Sequence, residues 1–266
     1  MKHLRGLCLL LILVLLTGCS AGGKAPQPEG TDAPAYRGVH FEYQADQIRK
    51  IEINWVGGLV ELEHSDQATL SVTENSQDLP AEQQMSCWLD GDELKIDFCT
   101  PTCTASIDAT RKSLLVQLPV GIELEVNTVS ADVGAAELKI QTLEADLTSG
   151  SLSVDALTAH DADLETVSGN IDLKNTAIDK KLDIGTTSGN ITLLLRQCPE
   201  LELNAVSGSA DVSLLEGLAA QVDFFTTSGR LDNTAPADGA EVCRIDAESV
   251  SGGLTVRSVS ALPAMD

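Results

Sequence analysis

Between residues 122 and 258 apolar and polar residues alternate in short runs, and each run leads into a tetrapeptide of the form Thr/Val-Ser-Gly-x. Its serine recurs at Ser130, Ser149, Ser168, Ser188, Ser207, Ser228 and Ser251, spaced by 19, 19, 20, 19, 21 and 23 residues. Only the first copy departs, with Ala131 in place of the glycine. Aligned on the serine, the chain falls into columns. Six residues before it stand Leu124, Leu143, Ala162, Leu182, Leu201, Val222 and Ile245; four before it, Val126, Ala145, Leu164, Ile184, Leu203, Phe224 and Ala247. Three residues after it come Val133, Leu152, Ile171, Ile191, Ala210, Leu231 and Leu254, and two further on most copies carry Val or Leu. A period of two on both sides of the Ser-Gly predicts short strands with one buried face; no helical period fits.

A degenerate copy runs from Ile51 to Leu62, where Gly57 replaces the serine. Repeats of about 20 residues, each unable to bury its own face, stack into a solenoid. The expected fold is therefore all-β: a β-solenoid, parallel β-helix-like, of about seven to eight rungs with an irregular N-terminal β cap. Rungs should lie roughly 4.8 Å apart, so seven would span about 30 Å. The glycine is expected to supply a positive φ at a sharp bend. The serine hydroxyl should bond its own local backbone or its equivalent one rung away.

From residue 68 to 118 the pattern loosens. Ala68 to Thr73, Met85 to Leu89, Leu94 to Phe98 and Ser113 to Leu118 read as strands, with Asp90-Gly91 marking a turn. Aromatic residues make up only 3% of the chain, and most of them (Tyr36, Phe41, Tyr43, Trp55, Trp88 and Phe98) precede residue 100. That suits a more conventional core in the cap and a thin aliphatic interior in the coil.

At the start, Met1 to Arg5 is basic and Leu7 to Leu16 is apolar, too short to span a bilayer as a mature helix but proportioned as a secretory signal. Leu16-Thr17-Gly18-Cys19 resembles the lipobox of bacterial lipoproteins, which implies that Cys19 takes a diacylglyceryl group and becomes the new N-terminus. Gly and Pro dominate the following segment, as in a flexible tether. The chain thus divides into a signal peptide (1–18), a tether (19–35), an N-terminal β region with one degenerate repeat (36–121), solenoid repeats (122–258) and a C-terminal tail (259–266).

Composition narrows the partners. Forty acidic residues against 17 basic ones give a net charge of −23, which argues against nucleic acid and against electrostatic docking on anionic lipid. A covalent lipid at Cys19 would have to hold the protein at a membrane. The repeated Val/Thr-Ser-Gly-x-apolar-x-apolar units, with Leu118-Pro119-Val120-Gly121 just before them, resemble the bacterial "putative-adhesin" family of β-strand-repeat domains. The resemblance covers roughly residues 40 to 258 and implies a surface protein without naming a ligand.

The sharpest chemical feature is one acid per rung, five residues before each serine: Glu125, Glu144, Asp163, Asp183, Glu202, Asp223 and Asp246, with Glu52 in the degenerate copy. Set between two buried columns, these side chains must point outward. Stacked like charges repel by about 1 kcal/mol per neighbour at ~4 Å in bulk water. One reading is a ladder of Ca²⁺ ions bridging successive carboxylates. The other is a solvated face that keeps a β-rich surface from edge-to-edge association. The second is the expectation, because one carboxylate per rung makes a poor cage and the Gly-Gly-x-Gly-x-Asp repeat is absent. No cofactor follows from the sequence.

Serines repeated on every rung read as structural, and no Gly-x-Ser-x-Gly elbow occurs. His40, His64 and His160 lack metal-ligand spacing. Lys174, Lys180, Lys181, Arg196, Arg230, Arg244 and Arg257 are scattered over the rungs without the focus that a glycan-cleaving groove needs. Export permits disulfides. Cys198 and Cys243 lie on loops two rungs apart, ~10 Å at the usual rung spacing and beyond disulfide reach, so any bridge is expected among Cys87, Cys99 and Cys103. The whole reads as an exported protein, lipid-anchored on the extracytoplasmic face: a non-catalytic, adhesin-like module for a cell-wall, glycan or protein ligand, or for envelope organisation. A carbohydrate-active enzyme on a β-helix scaffold and an envelope-stress sensing lipoprotein are the alternatives.

Overall fold

The computed structural model describes residues 36, 37, 39–76, 79–100, 103 and 107–260. They belong to one compact unit, Ala33–Asp266. The signal peptide, Cys19 and the tether lie outside the described residues, as do residues 261–266.

The repeats stack as parallel strands in the register that their columns demand. Leu124, Leu143, Ala162, Leu182 and Leu201 are direct neighbours across successive strands, as are Val126, Ala145, Leu164, Ile184 and Leu203. All of them are buried. Beyond the serine, Val133, Leu152, Ile171, Ile191 and Ala210 form a second ladder. A third side closes each turn, with Leu138 beside Leu157, Ala159 beside Ile178 and Thr176 beside Leu195. The degenerate copy is a full rung, for Lys50–His64 pairs with Glu123–Ala135 and sets Gly57 opposite Ser130. A one-residue slip would turn every inward Leu to water, so burial fixes the register.

The corner glycines serve a different purpose from the one expected. Among Gly150, Gly169, Gly189, Gly208, Gly229 and Gly252, only Gly208 has a positive φ, 139°. What they supply is closeness. A Cβ on Gly169 would lie 1.7 Å from the carbonyl oxygen of Gly150, and one on Gly189 would lie 1.8 Å from that of Gly169. Successive corners therefore pack backbone on backbone. The serine hydroxyls reach across rungs: Ser130, Ser168 and Ser188 donate to the carbonyls of Val56, Thr148 and Val167 at 3.0, 3.3 and 3.3 Å. Two residues past the serine a polar ladder runs alongside. There Asp132, Asn170 and Asn190 accept the N–H groups of Ser151, Asn190 and Ser209 at 2.9, 3.0 and 3.2 Å.

Chain order and stack order part at the C-terminal end. Glu200–Ser207 pairs with Glu241–Ser251, not with the next strand in sequence, and Leu218–Thr226 pairs on the far side of Glu241–Ser251. The last repeat is thus inserted, and the Ser228 repeat forms the outer rung. The corners agree, because Gly252 packs on Gly208, and Gly229 on Gly252. Side chains explain the exchange. The inserted repeat buries Ile245, Ala247, Leu254 and Val256, whereas the outer one carries Asn233 in a core column and leaves Leu231 exposed. The copy that can bury every inward position takes the interior.

The N-terminal cap extends both ladders by one parallel strand each and then adds antiparallel strands outside them. Glu93–Asp97 and Lys112–Leu118 flank the first rung in parallel. Thr69–Ser76 then pairs antiparallel with Lys112–Leu118, and His40–Gln44 with Thr69–Ser76. Ser86–Asp90 forms a hairpin with Glu93–Asp97 through Gly91 (φ 67°). Inside, Trp55 and Phe98 meet edge to face at 5.0 Å. Against them lies a fully buried ion pair, Lys112 Nζ to Glu74 Oε2 at 3.1 Å. Lys112 also donates to the carbonyls of Gln83 and Phe98 and sits 4.1 Å from the Phe98 ring centre. Glu74 accepts the Met85 N–H at 2.6 Å.

Candidate functional site

Alternation sends the residues between the two buried columns outward, and the register stacks them. Glu52, Glu125, Glu144, Asp163, Asp183, Glu202, Asp246 and Asp223 are direct neighbours in that order. Lys95 stands opposite Glu52 at the cap end. Two residues nearer the serine a second column shares the face: Asp97, Asn54, Asn127, Asp146, Glu165, Gly185, Asn204 and Glu248. Asn and Gly interrupt the acids of this column, which hides it in the sequence although its period of two is intact.

Charge is not uniform along the ladder. Toward the cap, Lys50 Nζ lies 2.6 Å from Glu125 and 3.1 Å from Glu93, and Lys95 Nζ lies 3.0 Å from Glu52. Further along, Lys181 Nζ bridges Asp183 at 2.8 Å and Glu202 at 2.7 Å. The hydrogen bond from Lys50 holds the Glu125 carboxyl below its usual range. Between these clamps Glu144, Asp146, Asp163 and Glu165 form a block with no ion pair to Lys or Arg among the described residues. Loss of hydration, followed by the carboxylates of Asp183, Glu165, Glu144 and Asp146, pushes Asp163 up to about 6. Glu144, Asp146 and Glu165 shift the same way, partial burial being the largest cause of each. The result is an exposed strip of regularly spaced negative charge, suited to attracting a cationic surface. Among the described residues no three His, Cys, Asp or Glu side chains group closely enough to hold a metal ion.

The other candidates are engaged elsewhere. The His40 ring lies 2.9 Å from the Thr73 hydroxyl, and His64 lies 3.0 Å from Asp66. Lys174 pairs with Asp155 at 2.8 Å, and Lys180 with Asp161 at 3.4 Å. A depression in the cap is lined by Val39, Glu74, Asn75, Ser76, Thr110 and Arg111. It offers one base and one carboxylate, and Lys112 already holds that carboxylate. Burial, with Cys103 beside it, pushes the Cys99 thiol up to about 11, while the Cys87 thiol accepts from the Tyr43 hydroxyl at 3.5 Å. The expected separation of Cys198 from Cys243 is overturned. Because the last repeat is inserted, their rungs are neighbours.

Fold and ladder together define an acidic β-solenoid of short repeats. The chain belongs to the Toastrack DUF4097 family, whose pattern matches residues 48–261. Among curated proteins no relative matches. Solved structures similar to it include a "putative adhesin" from Bacteroides fragilis, with 12% identity, 83% of this chain and 96% of that one covered, and a TM-score of 0.46. A "putative adhesin" from Parabacteroides merdae has 13% identity, coverage of 83% and 95%, and a TM-score of 0.46. A "putative lipid binding protein" from Parabacteroides distasonis has 17% identity, coverage of 83% and 96%, and a TM-score of 0.37. At such scores the fold rests on this chain's own register and on the family match. Among the described residues no helix is long and apolar enough to cross a membrane.

Proposed function

We propose that this chain is a non-catalytic binding module of the bacterial envelope, held on the extracytoplasmic face by lipid at Cys19, that presents its acidic ladder to a cationic partner. The observation that carries the reading is the block of Glu144, Asp146, Asp163 and Glu165, four outward carboxylates on two adjacent rungs with no ion pair to Lys or Arg among the described residues. A fold gains nothing from such repulsion, and incoming positive charge relieves it. Cell-wall polymers bearing free amines and basic segments of envelope proteins both have the required chemistry.

The test is a glycan and cell-wall binding screen on the whole chain, with released product recorded. Retention that weakens as salt rises, without product, supports the reading. Salt-independent retention or product release contradicts it. For the anchor, Cys19→Ser should move the protein from the membrane fraction to the soluble one; unchanged membrane retention would rule lipid attachment out.

A further inference from the structure

Cys198 and Cys243 stand forty-five positions apart in the chain, yet they share one junction in the stack. The Arg244 N–H donates to the Pro199 carbonyl at 2.9 Å, and Glu200 faces Arg244 in the parallel register. Both cysteines point inward, 2% and 0% exposed. The Cys198 thiol donates to the Glu200 carbonyl at 3.2 Å, and Cys243 directly precedes Arg244 on the strand that faces Glu200, both cysteines standing as thiols. We propose that these two cysteines form a disulfide that staples the inserted last rung to the Ser207 rung and thereby fixes the exchanged order of the last two repeats.

The need for a staple follows from folding order. As the chain leaves the Ser207 rung, the first repeat able to dock on it is the Ser228 repeat, and that contact is the more local one. Native order requires the later repeat to displace it. A bond between Cys198 and Cys243 makes the contact of the inserted rung permanent and encloses the whole outer rung in the loop it closes. The proposal also resolves the odd cysteine count among the described residues: Cys198 with Cys243, Cys99 beside Cys103, and Cys87 alone under Tyr43.

The chemistry is thiol–disulfide exchange. One cysteine thiolate attacks a sulfur of an external disulfide and releases one thiol, and the second thiolate then attacks the mixed disulfide and releases the other. Two S–H bonds are lost, one S–S bond forms, and the two electrons reduce the external disulfide to two thiols. Its cysteine neighbour, and after it burial, raise the Cys198 pKa strongly. Inside the finished stack the thiol is therefore protonated and inert, so the bond must form while the rungs are closing.

In the cell the proposal rests on the envelope reading, which supplies an oxidising compartment; its test does not. The full chain would be refolded with oxidised and reduced glutathione, unfolded in N-ethylmaleimide without reductant, digested and analysed by mass spectrometry. The expected result is one peptide pair joined through Cys198 and Cys243, free of the alkylating label. Folded protein with label on both cysteines would overturn the proposal. As a second measurement, Tm of the linked protein should exceed that of the Cys198→Ala/Cys243→Ala variant by roughly 5–15 °C; equal values would count against the staple. Protein found in the cytosol, yet linking on refolding, would overturn the envelope reading and leave the bond standing.

Discussion

Asp163 has carboxylates on the rungs to either side of it, Glu144 and Asp183, and on its own strand Glu165. Its pKa is raised from 3.8 to about 6, so the folded chain holds that proton more tightly than the unfolded one. A raised carboxyl contributes stability at low pH that is lost as pH climbs from about 4 to about 6. Glu144, Asp146 and Glu165 act in the same sense, while Glu125, held low by Lys50, favours the fold above its ordinary range. Thermal melts should therefore show Tm rising as pH is lowered from 7 to 5, and Asp163→Asn should raise Tm at pH 7 and flatten that rise. After solvent screening the gain is about 1 kcal/mol or less. An unchanged pH slope would mean that the block is not strained. The opposite case is Lys112 with Glu74, where charge is buried and paired. Lys112→Met should cost about 3–5 kcal/mol by orphaning Glu74, and adding Glu74→Leu should recover much of the loss in urea melts. Nothing in the sequence announced this pair. Lys112 follows Arg111 at the head of a strand and reads as surface.

At the scale of one element, the strand–corner–strand unit was legible because a period of two reports directly which side chains turn inward. The same pattern yielded the outward acids. It pointed to the wrong purpose for the glycine, a positive φ, since a small residue marks either a special φ or a close neighbour, and here the neighbour decides. Gly169→Ala pushes a methyl group onto the Gly150 carbonyl and should cost about 1–3 kcal/mol or more. Gly134→Ala, with nothing within 4 Å of the added carbon, is the control and should stay within about 0.5 kcal/mol. Equal effects in denaturant melts would return the corner to a purely conformational role.

For the whole molecule, periodicity says which residues share a column and is silent on the order in which rungs stack. The exchanged last repeats were therefore missed, and with them the meeting of Cys198 and Cys243. Two signals were nonetheless present: Asn233 in a core column, and the longest serine spacings, 21 and 23, on either side of Ser228. The stack brings eight ladder acids into one line, and the lysines at its flanks leave a central block that no Lys or Arg pairs among the described residues. That block is the central claim, and one comparison tests it most directly: retention on isolated envelope fragments of the wild-type chain and of the Glu144→Gln, Asp146→Asn, Asp163→Asn, Glu165→Gln variant, both checked for intact fold by circular dichroism. Binding should be about tenfold weaker in the variant, with most of the salt dependence gone. Equal binding by two folded proteins would contradict it.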